Sequence, residues 1–127
     1  MTGVQTCALP IFIVDATIWG PEGSLSLKLA LDTGATRSLI LDEALAFVGL
    51  RPSPYGPRVQ VTTANTVQPI PLVEVPKISA LGKTRERLEV TAHTLPPTAG
   101  VDGLLGLDFF RLRRLTIDFR RGQIRVV

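Results

Sequence analysis

Ser24-Leu25-Ser26-Leu27-Lys28-Leu29-Ala30-Leu31-Asp32-Thr33-Gly34-Ala35 is the stretch on which the reading of this chain turns. Leu25, Leu27, Leu29 and Leu31 fall on one face of an extended segment and Ser24, Ser26, Lys28 and Ala30 on the other, the period of two of a half-buried β-strand. The strand runs into an acid, Asp32, followed by a glycine-containing turn. Such a turn holds a carboxylate at a fixed place with backbone exposed around it. Asp32 occurs once in this setting, and the chain is too short to carry a second copy, so chemistry needing two such acids calls for two chains.

Working outward, Phe12 to Trp19 also alternates, with Phe12, Val14, Ala16 and Ile18 on one face. Gly20-Pro21-Glu22-Gly23 is a turn by composition, and the two strands make a hairpin ending at Asp32. After the small polar run Thr36-Arg37-Ser38, Leu39-Ile40 predicts a short buried piece. Asp42 is a candidate N-cap for a helix of two turns through Val48, stopped by Gly49. Val59 to Thr63 and Thr66 to Ile70 read as β arms around Ala64-Asn65. Leu72, Val73 and Val75 continue between prolines, as edge or bent strands. Further strands are expected over Leu88 to Leu95, Leu115 to Phe119 and Gln123 to Val127, with a helical turn from Asp108 to Arg111. Gln123 to Val127 is expected to be a dimer-forming strand, because an unpaired edge there invites aggregation; its removal should give inactive monomer.

A chain of 127 residues with 45% hydrophobic and 20% charged residues is sized for one folded domain with a modest core. Eleven glycines and ten prolines favour a turn-rich β fold over a helical one. No apolar run reaches the length of a membrane span. Residues 1–11 read as one translated frame of a sequencing adapter, which places the evolved domain at 12–127 and leaves the natural start lost. Cys7 lies inside that segment and then says nothing of disulfides or redox compartment. A soluble domain is expected, with its compartment open, the cytoplasm among the options. Six arginines fall between Arg111 and Arg125. Phe119 aside, no aromatic residues interleave with them as stacking platforms would, so they read as a solvated strand face and no nucleic-acid partner is expected.

The order Leu29-Ala30-Leu31-Asp32-Thr33-Gly34-Ala35, Ser38-Leu39-Ile40 and, about seventy residues on, Gly103-Leu104-Leu105-Gly106-Leu107-Asp108-Phe109-Phe110 resembles the two signatures of retropepsin-like aspartic proteases. These are the retroviral-type enzymes and their single-domain bacterial and retroelement relatives. Leu115 to Phe119 resembles the strand that follows. The resemblance covers Phe12 to Val127. It implies an all-β, closed antiparallel pseudo-barrel with one short helix. It also implies an aspartic endopeptidase that works as a homodimer on peptide or protein substrates, without metal or organic cofactor. Asp32 would be the catalytic acid, one per subunit. Thr33 would brace the two active-site loops against each other, Gly34 would allow close approach, and Ala35 stands where pepsin-like enzymes often carry a hydroxyl. Without that hydroxyl, activity is expected at weakly acidic pH; an optimum near pH 2 would contradict this. Thr63, Ala64 and Asn65 correspond to the tip of a flap over substrate, although no glycine lies there. Gly103, Leu104, Leu105 and Gly106 form the second signature.

The chain departs from the retroviral pattern at one place. An Arg beside the second-signature glycine pairs there with an acid after the catalytic triplet; here those positions read Leu107 and Thr36. Arg37 and Asp108 could replace the pair with the charges exchanged, or Asp108 could cap the helical turn. Asp102 and Asp118 read as structural, His93 as a surface residue, and Trp19 and Tyr55 as core or rim residues. One histidine and Cys7 cannot build a zinc site, and no serine sits in a nucleophile elbow. The alternative function is a catalytically weak or inactive peptide-binding or dimerisation module of the same fold. A third reading is a half-domain left monomeric and inactive by the loss of its natural start.

Overall fold

The computed structural model describes residues 3–6, 12–62, 65–94 and 100–127, and the side chains of residues 4–6 are not among those described. Ten strands are formed there: β1 (Gly3–Thr6), β2 (Ile13–Gly20), β3 (Gly23–Leu31), β4 (Leu39–Leu41), β5 (Arg58–Thr62), β6 (Val67–Ala80), β7 (Lys83–His93), β8 (Gly103–Leu105), β9 (Leu115–Asp118) and β10 (Gln123–Val126). A helix, α1 (Asp42–Phe47), follows β4, and a 3-10 helix (Leu107–Phe110) follows β8.

The β2–β3 hairpin pairs from Ile13↔Ala30 to Gly20↔Gly23. Its alternation decides what goes inside: Phe12, Val14, Ala16, Ile18, Leu27 and Leu29 are buried. They meet Val73, Val75, Ile78 and Ala80 of β6, Val90 and Ala92 of β7, and Leu45 of α1 in one core. Phe109 of the 3-10 helix and Ile124 and Val126 of β10 complete it. Each fully buried side chain of this size contributes about 2 kcal/mol of apolar transfer energy.

Strand order β2-β3-β8-β4-β7-β6 closes on itself through Ala16↔Ala80 to Trp19↔Lys77, and β5 extends β6 outside the ring. The closed barrel expected from the sequence is present. It is mixed rather than antiparallel: β8 runs parallel to β3, and β4 runs parallel to β7. The loop after Asp32 reverses the chain between β3 and β4, and β8 inserts between these two opposed strands. β8 must therefore run parallel to one of them. A closed ring also needs an even number of direction reversals, so one parallel pairing requires a second.

Other elements differ in detail. Asp42 is the first helical residue and not the cap; Leu41 holds that position without a side-chain bond. Asp42 and Glu43 act on the positive helix end instead. β7 begins at Lys83, ahead of the expected Leu88, because Lys83 to Arg87 lacks apolar alternation. It is reached through a two-residue turn at Leu81 and Gly82, both at positive φ. β6 is one long strand, and between Val75↔Leu88 and Lys77↔Glu86 its ladder skips Pro76, which has no N–H to give. Tyr55 is 98% exposed, so it is no core residue. Trp19 is half-buried under the Lys77 ammonium, 4.4 Å from the ring centroid.

β10 has no open edge, contrary to its expected place at a sheet margin. It lies between β1 and β9 in a three-stranded sheet, with Gly3↔Val126 to Thr6↔Gln123 on one side and Gln123↔Asp118 to Val126↔Leu115 on the other. Among the described residues, no helix is long and apolar enough to cross a membrane.

Candidate active site

Leu31, the last residue of β3, pairs with Leu105 of β8, and the Asp32 N–H donates to the Leu105 carbonyl at 3.0 Å. The barrel wall thus runs directly into the catalytic candidate. Beyond it the loop folds on itself. The Gly34 N–H donates to Asp32 Oδ1 at 2.9 Å, and the Ala35 N–H donates to the Asp32 carbonyl at 3.2 Å. The Asp32 side chain is half-exposed, and Oδ2 takes no hydrogen bond among the described residues. Thr33 and Gly34 are exposed. The geometry is a carboxylate aimed by one backbone amide, with one oxygen left to act.

The second glycine segment clamps this loop from behind. The Leu107 N–H donates to the Ala35 carbonyl at 2.9 Å. Ser38, fully buried, donates its N–H to Asp108 Oδ2 at 2.9 Å and its hydroxyl to Asp108 Oδ1 at 2.7 Å. The Gly106 N–H donates to Ser38 Oγ at 3.0 Å. The Ser38 carbonyl accepts from the N–H and the hydroxyl of Thr91 on β7, at 2.9 and 3.2 Å. Every polar atom of Ser38 is therefore used, as burial requires. The Asp108 carboxylate also accepts the Phe109 N–H at 2.9 Å.

These bonds correct the charge exchange expected between Arg37 and Asp108. Arg37 pairs with Glu89 of β7 at 3.1 Å, and Asp108 anchors Ser38. Parallel pairing of β4 with β7 sets Leu39 opposite Thr91 and so brings Glu89 within reach of Arg37. Ser38 and Thr91 are the residues that sequence reasoning assigned no role. The one signal for Ser38 was a polar residue opening an apolar run.

The glycines of the second segment are demanded by close approach. A Cβ on Gly103 would stand 2.1 Å from the Leu39 carbonyl oxygen, and one on Gly106 would stand 2.7 Å from the Ala35 carbonyl oxygen. Both obstacles are backbone, which cannot swing away. Gly106→Ala should therefore cost about 3 kcal/mol of stability and pull the loop off its support, read as a lower denaturation midpoint in urea. An unchanged midpoint would contradict the contact.

Asp102 stays structural, as expected: its carboxylate accepts the Lys28 N–H at 2.8 Å and its carbonyl accepts the Leu41 N–H at 3.0 Å. Asp118 accepts the Arg121 N–H at 3.0 Å in the β9–β10 turn. His93 is half-buried at the end of β7. Among the described residues no group of acids, histidines and cysteines could hold a metal.

A groove of about 460 Å³ runs beside the loop, between Ala35, Leu39 and Leu104 on one side and Val59 and Val61 of β5 on the other. Across this groove β5 faces Ala35 to Arg37, the residues that follow the Asp32 turn. Asn65 near the tip of the β5–β6 hairpin is exposed; Thr63 and Ala64 lie outside the described residues. A larger groove of about 690 Å³ at Asp15, Lys28 and Ser79 includes no residue of the loop that carries Asp32.

A family model described as aspartyl protease matches residues 14–109. No curated protein matches the chain. Among solved structures, a retropepsin-like aspartic protease from Rickettsia conorii is similar with a TM-score of 0.70, at 14% identity over 99% of this chain and 89% of that one. The retroviral protease-like domain of Ddi1 from Leishmania major is similar with a TM-score of 0.55, at 18% identity over 89% of this chain and 85% of that one. At such identities the two structures speak to the fold.

Proposed function

The chain belongs to the aspartyl protease family, and from that footing we propose that it is an aspartic endopeptidase whose active site is completed by a second copy of itself. The carrying observation is the half-exposed Asp32 carboxylate, aimed by the Gly34 amide at the end of β3 and left with a free oxygen. In a two-fold dimer Asp32 of the partner subunit meets it at the axis, where an isologous contact faces itself. On this reading the exposed Thr33, whose hydroxyl has no hydrogen-bond partner among the described residues, braces the two loops.

Two carboxyl groups in hydrogen-bond range do not both carry charge at the same pH and share one proton. The charged one takes a proton from water, whose oxygen attacks the scissile carbonyl. The protonated one gives its proton to the carbonyl oxygen. Collapse of the tetrahedral intermediate breaks the C–N bond: the proton taken from water passes to the leaving nitrogen, and a hydroxyl of the intermediate returns a proton to the second carboxylate as the new carbonyl forms. No metal or organic cofactor enters this route. The groove under β5 offers an apolar channel to an extended peptide, with the strand edge above it for main-chain hydrogen bonds.

One observation favours a second reading, a peptide-binding module with little or no proteolysis. β10 is paired on both edges within its own chain, so it is not free to join a partner. Incubation with a mixed peptide library, followed by mass spectrometry, separates the two. New termini at internal bonds are expected; peptides retained intact would favour the binding module and overturn the proposal.

A further inference from the structure

Three arginines behind the active-site loop, Arg85, Arg111 and Arg113, form no ion pair among the described residues. Arg85 on β7 donates Nε to the Phe109 carbonyl at 2.9 Å, while its Nη2 is buried with no partner. Nε of Arg113 is buried and unpartnered in the same way. Burial, then repulsion from Arg113 and Arg111, lowers the Arg85 pKa, and Asp108 pulls it the other way. The Asp108 carboxylate is already occupied by Ser38 and Phe109. Guanidinium N–H groups withdrawn from water without an acceptor are costly.

Arg85 and Arg111 open onto one groove of about 370 Å³, together with Arg37 and Arg87. Of the three acids there, Asp108 is bonded to Ser38 and Phe109, Glu89 is paired with Arg37, and Glu86 is exposed and makes no bond among the described residues. Backbone strain marks the same segments: Arg87 and Leu112 adopt φ of 55° and 63°, a conformation costly for such residues.

We propose that this groove is an oxyanion site, in which the guanidinium groups of Arg85 and Arg111 hold a tetrahedral or carboxylate anion through charge-assisted hydrogen bonds. Thr36 lies in the same groove, next to Ala35 of the active-site loop. Occupancy therefore stabilises that loop and couples the two sites. The ligand is either a free oxyanion such as phosphate or the carboxylate of an acidic peptide.

The test is thermal melting of the whole chain in phosphate against chloride at matched ionic strength. Phosphate should raise the Tm with the logarithm of its concentration above Kd, by about 4 °C at tenfold its Kd. Arg111→Ala should melt like the parent in chloride and lose the phosphate response; Arg120→Ala, in the β9–β10 turn, should keep it. A glutamate-containing pentapeptide then identifies the source: if it displaces phosphate in calorimetry the site takes a peptide carboxylate, and if it does not the site takes the free anion. Equal melting in the two salts, or an unchanged response in Arg111→Ala, overturns the proposal.

Discussion

Asp32→Asn should abolish peptide cleavage while leaving the fold intact. Asparagine keeps an oxygen for the Gly34 N–H, which donates to Asp32 Oδ1 at 2.9 Å. The Asp32 N–H bond to the Leu105 carbonyl is backbone and does not change. Melting should move by no more than about 2 °C. Chemistry is another matter, because an amide can neither take a proton from water nor share one with a second carboxyl. A drop of roughly 10³-fold or more in kcat/KM is expected. Progress curves with a fluorogenic peptide, read beside a melting curve of the same sample, check both halves. Activity within tenfold of the parent would place the chemistry elsewhere.

Ser38→Ala should cost about as much stability as Gly106→Ala. The hydroxyl donates to Asp108 at 2.7 Å and accepts the Gly106 N–H at 3.0 Å, inside a fully buried position. Alanine leaves the buried Gly106 N–H without an acceptor and takes one donor from a carboxylate. At 1–3 kcal/mol for each such group, the expected cost is about 3 kcal/mol, or about 10 °C in Tm. Thr91→Val is the matched control. It removes one bond to the Ser38 carbonyl, which keeps the Thr91 N–H, and should cost about 1 kcal/mol. Ser38→Ala melting no lower than Thr91→Val would show that the clamp is not what holds the loop.

The hairpin that carries Asp32 was legible because a leucine at every second position leaves one choice of inward face, and Leu27 and Leu29 are indeed buried. The Gly103–Gly106 segment was legible as a motif, though its reason, that a Cβ on either glycine would stand within 3 Å of the Leu39 or Ala35 carbonyl oxygen, appears only in three dimensions. Direction of pairing was not legible. β8 is three residues long and pairs with strands about seventy residues earlier, and no local pattern records whether such a contact is parallel. The partners of Arg37 and Asp108 were hidden for the same reason, since spacing offered one match and the β4–β7 register supplied another. β7 began earlier than expected because its first five residues, Lys83 to Arg87, are polar on both faces. β10 shows the limit of reading edges from composition. Its strand was expected, but the segment covering its second edge, Gly3–Thr6, lies 120 residues away from Gln123 to Val126 in register.

The central claim is that one acid per chain makes a two-chain site. Specific activity measured over a wide range of protein concentration, with and without excess Asp32→Asn protein, tests it most directly. Activity per chain should fall on dilution, and a tenfold excess of the variant should reduce it to roughly a tenth by sequestering active chains in one-acid dimers. Activity per chain that is unchanged both by dilution and by the variant would contradict the two-chain site.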